Sequence, residues 1–264
     1  MKKNRIFLIV FFCLTALLSC KKEKYGSIEF HFKHSIDGNT IFFNHLIYTN
    51  AAGNLYQVNE IKYFISKVCL YDSEGGVTVI TQDKGIHYVD SDIERTLRWK
   101  IDRVPQKQYQ AISFIFGLDE SENKSFRFVN PPESNFWWPE VLGGGYHYMQ
   151  INGKFKNNEG NIQNMNIHTG IGQIYEDNHV VAFVHNHFTV TLPVHFFVSE
   201  NNTLPLVLNM EVQRWFDSPN LYNFDDFGTG IMQNQRAQEL LRENGWNVFE
   251  VIPRDFGTMV FNPT

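Results

Sequence analysis

Residues 143–153 read GGGYHYMQING, and this stretch decides the fold. From Tyr146 to Ile151 the side chains alternate, with Tyr146, Tyr148 and Gln150 on one side and His147, Met149 and Ile151 on the other. That is the period of a β-strand. His147 is thereby expected to share a face with Met149 and Ile151. Gly143, Gly144 and Gly145 shape the approach, because glycine reaches backbone angles closed to other residues and lets another segment come close. Outward from this strand, Trp137 and Trp138 lie before the glycines. On the far side comes Ile167-His168-Thr169-Gly170-Ile171-Gly172, whose two glycines predict a turn just after a second strand. From that turn His168 can point into a cleft, although Met165 and Ile167 take the inward face of the strand before it.

The same alternation recurs along the chain. Ile28, Phe30, Phe32 and His34 fall on one face, so the inward side of the first strand ends in a histidine. Further strand-like runs cover residues 39–48, 56–71, 78–90, 95–101, 109–117, 146–155, 161–168, 180–192 and 204–212. Turn-forming residues at 50–54, 73–76 and 156–160 separate some of them. One long helical pattern follows: Thr229 is placed to cap residues 231–244, Met232, Ala237, Leu240 and Leu241 face inward, and Gly245 stops it. A shorter helix starts at Ser218-Pro219 or covers residues 212–216. Trp246, Val248 and Phe249 then return as a short final strand. One open sheet cannot bury both phenylalanine-rich inward faces. The expected fold is therefore mainly β, a β-sandwich of two antiparallel sheets with a C-terminal α-helix packed on an end or edge.

Residues 1–19 read as a lipoprotein signal peptide. Lys2, Lys3 and Arg5 precede an apolar run from Ile6 to Leu18, too short to span a bilayer comfortably. Leu17-Leu18-Ser19-Cys20 resembles a bacterial lipobox, which implies cleavage before Cys20 and lipidation of its thiol; an ordinary signal peptide cut elsewhere is the alternative. Residues 20–26 would then form a lipidated tether and residues 27–264 one domain. The expected location is the cell envelope, lipid-anchored at the outer membrane of a Gram-negative cell. Loss of the leader moves the formal charge from -5 to -8, and an acidic chain lacks the basic footprint that nucleic acid requires. Cys69 is left as the only other thiol, so no intrachain disulfide is expected. With 43% hydrophobic and 15% aromatic residues the chain has the material for a core without staples.

Enzyme signatures are missing: no glycine-rich phosphate loop, no His-Glu-x-x-His, no Gly-x-Ser-x-Gly, no Cys-x-x-Cys. The adjacent carboxylates Asp119-Glu120 and Asp225-Asp226 would point oppositely on a strand and read as solvated turns. No enzymatic activity is expected. The unusual chemistry is histidine, ten in an exported chain, and neutral imidazole is a good ligand for copper and zinc. His34 and His147 are candidates whose competing reading is a core histidine satisfied by a backbone hydrogen bond. His185 and His187, two apart, share a strand face, as a two-nitrogen surface site or a solvated pair.

Several segments together resemble a known family. Asn130-Pro131, Trp137-Trp138, Gly145-Tyr146-His147-Tyr148-Met149, Gly153 and His168-Thr169-Gly170 are similar to the core of MbnP-like proteins. These are copper-binding exported proteins encoded with methanobactin systems and, more widely, lipoproteins without an agreed role. Residues 48–53, 61–66, 114–119, 231–235 and 243–245 fit the lipoprotein branch, so the resemblance spans nearly the whole mature chain. It implies a β-sandwich and a copper site. In copper-binding relatives a Trp-x-His on an early strand supplies a ligand pair, its tryptophan oxidised to kynurenine by a di-haem enzyme. Here that position reads Phe32-Lys33-His34, and phenylalanine cannot become kynurenine.

The resemblance thus points to a non-enzymatic envelope lipoprotein binding copper through His34 and His168, with His147 as a third ligand or behind the ligands. Trp137 and Trp138 would wall the site, and zinc is the competing metal. The alternative is a carbohydrate- or protein-binding module at the envelope, using Phe136, Trp137, Trp138, Trp215 and Tyr222 as stacking faces for a sugar or anchors for a partner protein. A metal site needs converging histidines, and a binding platform needs exposed rings.

Overall fold

The computed structural model describes residues 22–253; the leader over 1–19, Cys20 and residues 254–264 lie outside the described residues. The described residues begin with β1 (Tyr25–Ile36), β2 (Asn39–Thr40), β3 (Tyr48–Thr49), β4 (Leu55–Asp72), β5 (Val77–Val79), β6 (His87–Asp90), β7 (Arg98–Pro105) and β8 (Gln108–Phe116). After a long connection come β9 (Met149–Lys156), β10 (Ile162–Thr169), β11 (Ile171–Glu176), β12 (His179–His185), β13 (Phe188–Phe197) and β14 (Thr203–Glu211). Among the described residues, helices α1 (Phe224–Phe227) and α2 (Gln235–Asn244) precede β15 (Phe249–Pro253). No helix among the described residues is long and apolar enough to cross a membrane.

The two expected sheets are present. In the first, β15, β14, β1 and β2 lie in that order, with β7 also on β1. Its β1–β14 pairing is parallel, Ser27 opposite Thr203 through Ser35 opposite Glu211, the one departure there from an antiparallel sheet. In the second, β10 pairs β9, β9 pairs β4, β4 pairs β8 and β8 pairs β13, while β3, β5 and β6 also attach to β4. Strand β4 is its spine, and its inward parity resets at bulges between Val58 and Glu60 and between Ser66 and Cys69. Three expected strands are broken and a fourth, over 95–101, starts late. Residues 39–48 give only short strands around Asn44, at positive φ. Residues 78–90 are interrupted where Asp83 and Lys84 take φ of 51° and 58°. Residues 180–192 divide at Asn186 and His187, and residues 94–97 form a 3-10 turn before β7.

The main core lies between the sheets, with Ile28, Phe30 and Phe32 of β1 facing Tyr63 and Ile65 of β4 and Phe114 and Phe116 of β8. A second apolar cluster covers the outer face of the second sheet. Phe64, between inward Tyr63 and Ile65, points outward against Phe128, Phe136 and Tyr146 of the connection 117–148. That connection forms a layer the strand pattern did not announce.

Helix α2 starts later than expected, because Asn234 and not Thr229 is its cap, its side chain accepting the Ala237 N–H. It buries Ala237, Leu240 and Leu241 and sits where β10 passes into β11: the Gly170 N–H donates to Gln238 Oε1 at 2.9 Å. Residues 212–216 form a 3-10 turn, as one of the two short-helix readings had it. Val248 and Phe249 return to the core, and β15 pairs with β14.

Gly153 of β9 lies opposite Val58, beside the first bulge of β4, and a Cβ there would stand 2.0 Å from the Gln57 carbonyl oxygen. Backbone cannot yield as a flexible side chain does. Gly153→Ala is expected to cost about 1–3 kcal/mol by overpacking, seen as a lower urea midpoint at unchanged slope. An unaltered midpoint would show that the strands separate freely there.

Candidate metal centre

Strand β9 begins at Met149, so His147 lies outside the regular ladder. Its expected face shared with Met149 and Ile151 is not formed. Residues 145–147 pair instead with 136–138: the Trp138 N–H donates to the Gly145 carbonyl at 2.8 Å and the His147 N–H to the Phe136 carbonyl at 3.0 Å. This local pairing turns the imidazole to the outer cluster, where its ring lies 5.1 Å from Phe136 and 4.8 Å from Trp138, centroid to centroid.

His168 lies within β10 rather than in the turn after it. Met165 and Ile167 point into the main core, so strand alternation sends His168 to the outer face. There it meets His147 edge to face, ring centroids 5.3 Å apart. Register explains the surroundings: Asp90, Lys62, Gln150 and His168 stand opposite one another across β6, β4, β9 and β10, and Glu60 and Asn152 form a neighbouring row.

Hydrogen bonds fix both tautomers. His147 Nδ1 is 3.2 Å from the Phe136 carbonyl oxygen, which only accepts, so Nδ1 carries the proton. Its Nε2 is then a bare lone pair, buried and without a partner. Asn152 donates from Nδ2 to Glu60 at 2.9 Å, which leaves its Oδ1 to accept from His168 Nε2 at 2.7 Å. His168 Nδ1 is therefore also free of a proton. Each imidazole thus has one nitrogen held by an acceptor and the other available, as metal-ligating histidines do. Burial lowers the pKa of His147 to about 3, helped by His168. Burial likewise takes His168 to about 4, against an upward pull from Glu60. Both are neutral ligands at neutral pH.

His34 is not brought to them. It lies on β1, between the sheets, edge-on to the inward Tyr63 at 5.8 Å, with the second sheet separating it from the outer-face pair. Its Nε2 is buried without a partner, and burial lowers its pKa to about 4. The two tryptophans divide: Trp138 is fully buried against His147 and over Gly170, where a Cβ would meet its ring at 2.7 Å, while Trp137 is 58% exposed. Two further groups among the described residues place three ligand atoms within 4.8 Å of one another: Glu60, Asp90 and Asp92, and Glu120, His185 and His187. In the first, the Lys62 ammonium lies 2.5 Å from Glu60 and 3.9 Å from Asp90, which offsets the acidic charge without an ion.

The MbnP family model matches residues 25–233, most of the chain. The chain belongs to the MbnP family. The structure of MbnP from Methylosinus trichosporium superimposes with a TM-score of 0.60 at 13% identity, covering 88% of this chain and 100% of that one, a likeness of fold. No curated protein sequence matches the chain.

In this MbnP-family chain α2 and β15 lie beyond the matched residues. Of the five aromatics considered for a binding platform, Phe136, Trp138, Trp215 and Tyr222 are buried and Trp137 alone is exposed. Sequence reasoning missed Asn152 and Glu60. The available signal was parity, since Asn152 shares the outward face of β9 with Gln150.

Proposed function

We propose that this chain is a metal-binding envelope lipoprotein, anchored through Cys20, whose site is the His147–His168 pair and whose ion is copper, with zinc as its competitor. The carrying observation is the pair itself: two neutral imidazoles in ring contact, His147 buried and His168 half-buried, each with one nitrogen oriented by an acceptor and the other open. This donor set fits copper, since imidazole suits copper and zinc, and a divalent site prefers copper where it is available. Buried Trp138 excludes water on one side, and the Asn152–Glu60 hydrogen bond holds the His168 ring.

The test is metal content after chelation and dialysis against copper. The His147→Gln, His168→Gln double variant is expected to hold one equivalent fewer than the wild type, and His34→Gln to hold as much. Unchanged copper in the double variant would overturn the site.

A protein-binding reading keeps one favourable observation: Phe126, Val129, Trp137 and Val141 are all exposed apolar side chains of the connection 117–148. A partner contact there would survive loss of both histidines and weaken in Trp137→Ala.

A further inference from the structure

We propose that Glu120, His185 and His187 form a second metal site, taking a divalent zinc-like cation, on the surface where β12 passes into β13. This does not rest on the His147–His168 reading.

Spacing is the first argument. His187 Nε2 lies 3.4 Å from one Glu120 carboxylate oxygen and His185 Nε2 3.9 Å from the other. Those gaps are long for a charge-assisted hydrogen bond, which closes to about 2.7–2.9 Å. Two ligands each about 2.1 Å from a tetrahedral ion stand about 3.4 Å apart. The three groups are therefore spread to the span of a shared cation, with ligand atoms from all three within 4.8 Å of one another.

Partners are the second. Among the described residues the Glu120 carboxylate pairs with no lysine or arginine; its partners are the two imidazoles and its own backbone N–H. His185 Nδ1 is buried without a hydrogen-bond partner, so apart from Glu120 no protein acceptor holds that ring. The neighbouring carboxylate Asp119 differs in this: it holds Lys67, Ser121 and the Glu122 N–H.

Rigidity is the third. Asn186, between the histidines, donates from Nδ2 to the Gly170 carbonyl at 3.1 Å and to Gln238 at 3.2 Å, and accepts from Gln235 at 3.0 Å. The joint carrying both rings is fixed by α2 and by the end of β10. The Tyr148 ring stands 6.0 Å from His187 at 72° and limits its tilt. Two imidazoles and one carboxylate suit zinc, and exposed Glu120 leaves room for a water or an outside ligand in the fourth position.

Zinc titration of the purified, chelated protein by calorimetry, with melting curves, tests this. The wild type is expected to take up zinc and to melt higher with it. The His185→Gln, His187→Gln variant should lose one equivalent and that part of the melting shift, while Glu120→Gln weakens the same equivalent at least tenfold. The His147→Gln, His168→Gln variant should leave it intact. Glu120→Gln, on an exposed side chain, gives the answer alone if the histidine variant folds poorly. Zinc uptake unchanged by these three substitutions, zinc lost only with His147 and His168, or no uptake by the wild type would each overturn the proposal.

Discussion

Between pH 7 and pH 5 the protein is expected to lose most of its stability. His34, His87, His147 and His168 have pKa values lowered to about 4, 4, 3 and 4, in each case first by burial. The unfolded chain takes up protons at the ordinary value near 6.5, whereas the folded chain refuses them until pH 3–4. In that window the unfolded state binds more protons, so stability falls as pH falls. At pH 5 each such histidine removes about 2 kcal/mol. Four together approach the ~5–15 kcal/mol that holds an ordinary domain folded. Carboxyls held below their usual range, such as Asp72 by Lys107 and by the Gly76 N–H, add loss in the same direction at lower pH. Urea midpoints at the two pH values measure the effect. His34→Gln should flatten the slope by one proton, and a wild-type midpoint that stays constant would contradict the burial of these rings.

Those four histidines also show what was legible in the sequence. Period-two alternation placed His34 correctly at the inward end of β1, and the Met165–Ile167 parity correctly set His168 apart from the core. The pattern could not show that an opposite face is buried too. The face of the second sheet that carries His168 is covered by the connection 117–148, whose irregular backbone has no period to detect. For His147 the alternation misled, because hydrogen bonds to Phe136 eleven residues earlier override a local strand rule. The candidate triad therefore split along the two faces of one sheet: His34 inside, His147 and His168 outside. The late start of α2 has a similar origin, since Thr229 and Asn234 are both good caps and only packing decides between them: Ile231 is buried ahead of the helix.

Removing residues 229–264 is expected to leave a chain that aggregates. Two losses combine. Ile231, Ala237, Leu241, Val248 and Phe249 all belong to the main core, and the Phe249 ring alone packs against Tyr63, Phe114, Phe116 and Trp215. Truncating one such phenylalanine to alanine costs about 3–5 kcal/mol, so losing these residues together with core Leu240 exceeds a typical folding free energy. The second loss is topological. β15 pairs with β14 from Met210–Phe249 to Leu206–Pro253, and without it β14 presents an unpaired edge beside its parallel partner β1, a template for joining another chain. Helix α2 goes as well, and with it the Gln238 oxygen that accepts the Gly170 N–H and the Asn244 amide that donates to the Trp215 and Asn220 carbonyls. Phe249→Ala separates the two causes. It removes the ring but keeps the edge strand, and should melt far lower while remaining monomeric. The truncated chain should instead be found in large species by light scattering. If it is monomeric with the full-length melting temperature and β-sheet circular dichroism, then neither the edge strand nor the helix closes the sandwich.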